Sequence, residues 1–302
     1  MKTSHIKSIR KIIFTTLGFS SSILLSLNTP GFAQALITLP DLSITNSSIS
    51  TSQVKPKKTN LQWVYSVAEK VIRANGLDEH PWRFQVSDEY NINAYAGELN
   101  KIVIYKGLLD QIHGDDAALA FIIAHELAHH TQRHSAQQEE AEARLKDKLL
   151  KEAEAEFTSW IVAEKQKSQK PISIAEKDVI KQRILIQKKQ EFDQAIQALS
   201  RQHEFQADAV GYTYMGKAGY DPNGGLRVFN LFHRLPSDYT ENSTHPTTEQ
   251  RIDALNQVMN KYPWRTLWAD GNERLKVNSQ PLKFDVIENG ISLRINSKFL
   301  SE

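Results

Sequence analysis

Asp115-Asp116-Ala117-Ala118-Leu119-Ala120-Phe121-Ile122-Ile123-Ala124-His125-Glu126-Leu127-Ala128-His129 joins a helix start to an almost wholly apolar run and ends in an HExxH motif. Acidic residues favour a helix N-terminus, and an apolar run without a polar face belongs to a buried helix. Residues four apart on such a helix lie within about 40° of one face and roughly 6 Å along the axis. Both imidazoles, His125 and His129, can therefore grip one Zn²⁺, with Glu126 beside it as a base for an attacking water. The motif arises by chance in a few chains per hundred of this length, so it is suggestive by itself. The apolar run leading into it argues against a surface helix with scattered histidines.

A catalytic zinc needs a third protein ligand and an open position. The metzincin spacing requires Gly and His where Gln132 and Ser135 stand, and a thermolysin-like Glu is absent where Lys148 and Leu149 stand. The better candidate lies far downstream, in Arg201-Gln202-His203-Glu204-Phe205-Gln206-Ala207-Asp208. Glu204 and Asp208 are one helical turn apart, so Glu204 can ligate while Asp208 accepts the second ring N–H of a ligating histidine. Taken alone, the segment also reads as an exposed acidic face, and His203, about 100° away from Glu204, is the alternative ligand. His130 and His134 project about 140° and 180° from His125 on a continuous helix and read as structural or exposed.

The chemistry sits in a chain of 302 residues, 40% hydrophobic and 24% charged, with 13 Gly and 10 Pro. This is the composition of a globular protein with one large domain or one domain and an appendage. The 37 basic and 35 acidic residues are too evenly balanced to mark a nucleic-acid binder. With no cysteine, disulfide frameworks, thiol nucleophiles, Fe–S clusters and thiolate zinc sites are excluded.

Upstream, Lys2, Lys7, Arg10 and Lys11 precede an apolar stretch from Ile12 to Leu27 and the small-residue site Ala33-Gln34-Ala35, the order of parts in a signal peptide. Removing residues 1–35 changes the formal charge from +2 to −2. No later stretch is long and apolar enough to span a membrane, so an exported, non-spanning mature chain is expected. Residues 36–58 read as a flexible leader rich in Ser, Thr and Asn. Asn60 then caps an amphipathic helix carrying Leu61, Val64, Tyr65, Ala68, Val71 and Ile72, and Gly76 stops it. Short strands are expected over Trp82 to Val86, Tyr90 to Ala96 and Lys101 to Tyr105.

Between the two metal-binding elements, residues 135–200 are densely charged with apolar positions at helical intervals. Leu145, Leu149, Ala153, Phe157 and Trp160 form one stripe, and Ile180, Ile184, Phe192, Ile196 and Leu199 form another. Pro171 separates them and Ser173 with Glu176 forms a capping box, so a helical hairpin covering the sheet is expected. A lid or docking arm is the sharper reading. At the C-terminal end, Leu282 to Ile287 and Ile291 to Asn296 alternate around Asn289-Gly290, a hairpin signal read as a β appendage over 261–302.

His125 to His129, Glu204-x-x-x-Asp208, and Thr244-His245-Pro246 with Arg251 resemble the HtpX/BepA-type family of zinc metallopeptidases over roughly Leu61 to Met259. The resemblance implies an α+β, mainly helical zincin-like domain over 59–260, one Zn²⁺ per chain on His125, His129 and Glu204, and Glu126 as general base. It also implies that His245 and Arg251 lie near the metal as oxyanion or substrate-positioning candidates, with His245 an occasional zinc contact. Asn93-Ala94-Tyr95-Ala96 resembles the gluzincin strand that borders the cleft, whose edge could pair with an extended substrate. The substrates implied are unfolded or misassembled envelope proteins in the periplasm, with envelope assembly machinery as partner. The competing class is a non-proteolytic envelope chaperone with structural zinc.

Overall fold

The computed structural model describes residues 59–168, 170–235 and 244–300; the expected signal peptide and leader lie outside these residues. Helix α1 (Asn60–Ala74) opens on a capping box in which Thr59 and Gln62 satisfy each other's backbone N–H groups. The cap is thus one residue earlier than Asn60. Then follow β1 (Trp82–Ser87), β2 (Ala94–Ala96), β3 (Lys101–Tyr105), the short α2 (Lys106–Gln111) and the buried α3 (Asp116–Thr131). The strand expected from Tyr90 begins only at Ala94. Gly107 explains the delay: its N–H donates to Glu89 O, and its backbone packs so close to Tyr90 O that a Cβ there would lie 1.9 Å away.

Two long helices come next, α4 (His134–Lys167) and α5 (Ile174–Lys217), then α6 (Gly224–His233), α7 (Thr248–Lys261), α8 (Trp264–Val277), β4 (Phe284–Ile287) and β5 (Ser292–Ile295). The architecture is α+β: a mainly helical body with one small mixed sheet in the order β2-β3-β1-β5-β4. β1 and β3 run parallel, with Phe84 beside Ile102, and the other pairs are antiparallel. Phe84, Ile102 and Leu293 meet Ile72, Leu119 and Ile123 in the core, so α1 and α3 rest on the sheet.

Two expectations about the periphery change. The C-terminal hairpin is no separate appendage, because β5 pairs with β1, Leu293 beside Phe84, and completes the sheet. Segment 261–302 also contains a helix, α8, which packs on α1 and α5. The helical hairpin α4/α5 does not cover the sheet. It closes on its own small cluster of Ala153, Phe157, Ile184 and Leu185, apart from the main core, and its second arm runs without a break into the domain. α5 is one helix of 44 residues, about 66 Å long. No helix among the described residues is long and apolar enough to cross a membrane.

Candidate active site

α3 delivers the first two donors. Its N-cap, Asp115, accepts from Ala118 N and is clamped by Arg227 at 2.6 and 2.9 Å, and every residue from Ala117 to His129 is buried. α5 crosses α3 closely because position 211 is glycine. A Cβ there would sit 3.0 Å from His125 N and 3.1 Å from its Cα, so any larger residue would push the helices apart. One turn earlier lies Asp208, and two turns earlier Glu204.

His125, His129 and Glu204 each offer one ligand atom, and these atoms lie within 4.8 Å of one another. The His125 and His129 Nε2 atoms are 3.1 Å apart, and the Glu204 oxygens are 3.6 and 3.4 Å from them. The far side of each ring is also engaged. His125 Nδ1 is 3.0 Å from Asp208 Oδ1, and His129 Nδ1 is 3.0 Å from His134 Nδ1. Burial, reinforced by the nearby His129, pushes His134 down to about 4, so the ring is neutral at neutral pH. Its Nε2–H donates to Gln206 Oε1 at 3.1 Å, leaving Nδ1 to accept from His129. Asp208 and His134 engage the Nδ1 side of the two rings, so both Nε2 atoms and the Glu204 carboxylate face one another. Such a donor set fits a tetrahedral Zn²⁺ with one open vertex.

Arg251, on α7, stands behind this cluster. Its Nε and Nη2 donate to Asp208 at 2.8 and 2.6 Å, its Nη1 is 3.4 Å from Glu204 Oε2, and the guanidinium lies over the Phe229 ring at 4.8 Å. Burial by itself would raise the Glu204 carboxyl, but His129, His245 and the charge of Arg251 hold it well below the usual carboxylate range. Burial opposes the Asp208 charge too, and Arg251 and His125 overcome it, so that group is also depressed. This ion pair ties the buried Arg251 to Asp208 and Glu204, on the side of the cluster away from solvent. His245, just before α7, places Nδ1 3.2 Å from Glu204 Oε2 on the more open side, its side chain 20% exposed. Glu126 shares the turn with the two histidines, is 8% exposed, and forms no hydrogen bond or ion pair among the described residues, so its carboxylate is available as a base.

Ala94, Tyr95 and Ala96 form β2, one of the two edge strands of the sheet, which among the described residues pairs only with β3 and packs against α3. Asn93 precedes it and is buried, its carbonyl accepting from Tyr105 N. His203 lies outside the metal cluster and stacks on His134, with centroids 4.2 Å apart and planes 7° apart. His130 Nε2 contacts Lys101 O. The residue that spacing missed is His134. A continuous helix would turn it away, but Arg133 adopts the left-handed conformation (φ 58°, ψ 38°) and breaks the helix, returning His134 to His129. A second HxxxH directly following the first, His130 with His134, is the only local trace of it.

A family model described as Peptidase family M48 matches residues 58–259, more than half of the chain. Among curated proteins, the chain is 26% identical over 203 residues to the mitochondrial metalloendopeptidase OMA1 of Arabidopsis thaliana, covering 65% of this chain and 36% of that protein. It is 26% identical over 199 residues to OMA1 of Schizosaccharomyces pombe, covering 65% and 52%. It is also 26% identical over 213 residues to a protein of Vibrio cholerae named as a beta-barrel assembly-enhancing protease, covering 67% and 40%. The chain therefore spans at most about half the length of these relatives.

Proposed function

This chain belongs to peptidase family M48, and from that premise we propose that it is an exported zinc-dependent endopeptidase acting on unfolded or misassembled envelope proteins. The observation that carries the chemistry is the convergence of His125 Nε2, His129 Nε2 and the Glu204 carboxylate. One zinc ion held there supplies Lewis-acid polarisation of the scissile carbonyl and acidifies water. Glu126 accepts the proton of the attacking water and passes it to the leaving amide nitrogen. His245 donates to the developing oxyanion from the open side. Asp208, anchored by Arg251, and His134 hold the two imidazoles in their working tautomers. The free edge of β2 offers backbone groups to an extended substrate, a mode that tolerates many sequences and suits unfolded chains.

Export rests on the basic, apolar and small-residue order of residues 1–35. Periplasmic location and envelope substrates are supported by the likeness to the assembly-enhancing protease. The division into signal peptide (1–35), leader (36–58) and peptidase domain from 59 belongs to the same reading.

The test is casein cleavage by the wild type and by Glu126→Gln, with zinc stoichiometry measured on both. Loss of about 10²–10⁴-fold in rate with zinc retained is expected from removal of a general base. Equal activity in the two proteins would reject the mechanism and favour the chaperone reading.

A further inference from the structure

The end of the α4/α5 hairpin differs from its stem. Val162 on α4 and Ile174, Val179 and Ile186 on α5 are 50, 78, 67 and 59% exposed. Over the stem, residues 134–161 and 187–200, no large hydrophobic side chain is exposed among the described residues. Val179 and Ile186 are seven positions apart, about 20° on the helical wheel, and so share a face. Ile184, in the hairpin's own cluster, points about 160° away from Ile186. Val179 and Ile186 thus form an outward aliphatic face of α5 rather than the fringe of the cluster, while Ile174, about 120–140° around the helix from them, and Val162 on α4 are exposed separately.

Charge divides at the same place. Segment 162–186 carries Lys165, Lys167, Lys170, Lys177, Lys181 and Arg183 against Glu164, Glu176 and Asp178, and Glu176 is held by Ser173 in the capping box. The first stem arm, 134–161, has the opposite balance, seven acidic and four basic residues. An outward aliphatic face among basic side chains suits the boundary between headgroups and acyl chains. Apolar groups enter that boundary while long cationic side chains reach the phosphates.

We propose that the hairpin tip, residues 162–168 and 170–186, docks on an anionic lipid surface. Because α5 is continuous, Glu204 lies thirty residues, or about 45 Å, along the helix from Ile174. Docking at the tip holds the cleft at a fixed reach from the bilayer. The inference goes beyond the peptidase reading and does not depend on it, since the tip contains none of the metal-site residues.

The test is co-sedimentation of the chain starting at Leu36, with vesicles of phosphatidylcholine alone and of phosphatidylcholine mixed with phosphatidylglycerol. Every described element lies in residues 59–300, so the apolar segment 1–35 can be omitted to keep it from inserting. Binding only to the phosphatidylglycerol vesicles, weakened by salt, is expected. Two variants separate the contributions: K165E/K167E/K170E reverses charge, and V179S/I186S keeps charge and removes aliphatic surface. Each should lower vesicle affinity at least about tenfold while helicity and short-peptide cleavage stay as in the wild type. Glu126→Gln should bind vesicles like the wild type. The proposal is overturned if the wild type binds neither vesicle, which would turn attention to a protein partner, or binds both equally, or if both tip variants bind unchanged.

Discussion

The two halves of α5 are one helix with opposite surroundings. From Ser200 to Lys217 it buries His203, Glu204, Ala207, Asp208, Gly211, Tyr212 and Met215 against α3, α7 and α8, whereas from Ile174 to Leu199 only Ile184, Leu185 and Phe192 are buried. In the inner half the two carboxylates of the site are each held by more than one partner. Asp208 meets both His125 and Arg251, and Glu204 meets both histidines, His245 and Arg251. In the outer half, ion pairs such as Lys189 with Asp193 are exposed, and such pairs contribute about 0–1 kcal/mol. One helix thus joins a site that tolerates little change to an arm that tolerates much. Substitutions in the two halves should differ accordingly.

Asp208→Ala should show the largest loss. It strands a buried guanidinium and frees the His125 ring, so a loss of about 3–5 kcal/mol in urea unfolding is expected, together with roughly 10–100-fold weaker zinc binding. A loss below about 1 kcal/mol would show that the inner half is less interlocked than its contacts indicate.

His134→Ala comes next. It removes the acceptor for His129 Nδ1–H, and zinc affinity by chelator competition should fall roughly 10–100-fold. A purely packing role for His134 would lower stability and leave zinc affinity unchanged.

Acid should separate the halves in the metal-free protein. The Asp208 carboxyl is depressed from its ordinary 3.8, so the unfolded chain binds more protons than the folded one in this window. The stability it contributes is fully present above about pH 4 and lost as pH falls through the depressed value. Urea midpoints measured against pH should drop there in the wild type and less in Asp208→Asn. The smallest effect is expected from deleting Val162 to Ile172, which should leave zinc content unchanged. Altered protein cleavage with unchanged short-peptide cleavage would then mark the arm as a substrate or docking element.

What could be read from the sequence follows the same division between local and distant determinants. The buried helix with HExxH, the amphipathic α1 and the two stripes of the hairpin rest on spacings of three to seven residues, which the chain states directly. The pairing of β5 with β1 joins segments about two hundred residues apart, and the alternation around Asn289-Gly290 specifies a hairpin without its neighbour. Within the site, Glu204 and Asp208 are legible from helical spacing together with family resemblance. His134 was hidden by one left-handed residue, Arg133, which no periodicity announces. Arg251 was placed near the metal, but its engagement with Asp208 depends on α7 packing against α5, a tertiary fact.

The most direct measurement is anomalous diffraction at the zinc edge on crystals of the zinc-loaded protein. A single peak within about 2.0–2.2 Å of His125 Nε2, His129 Nε2 and a Glu204 oxygen is predicted, with no fourth protein ligand. A peak elsewhere, or a metal bound by the two histidines with Glu204 out of reach and another side chain closing the sphere, would contradict the account.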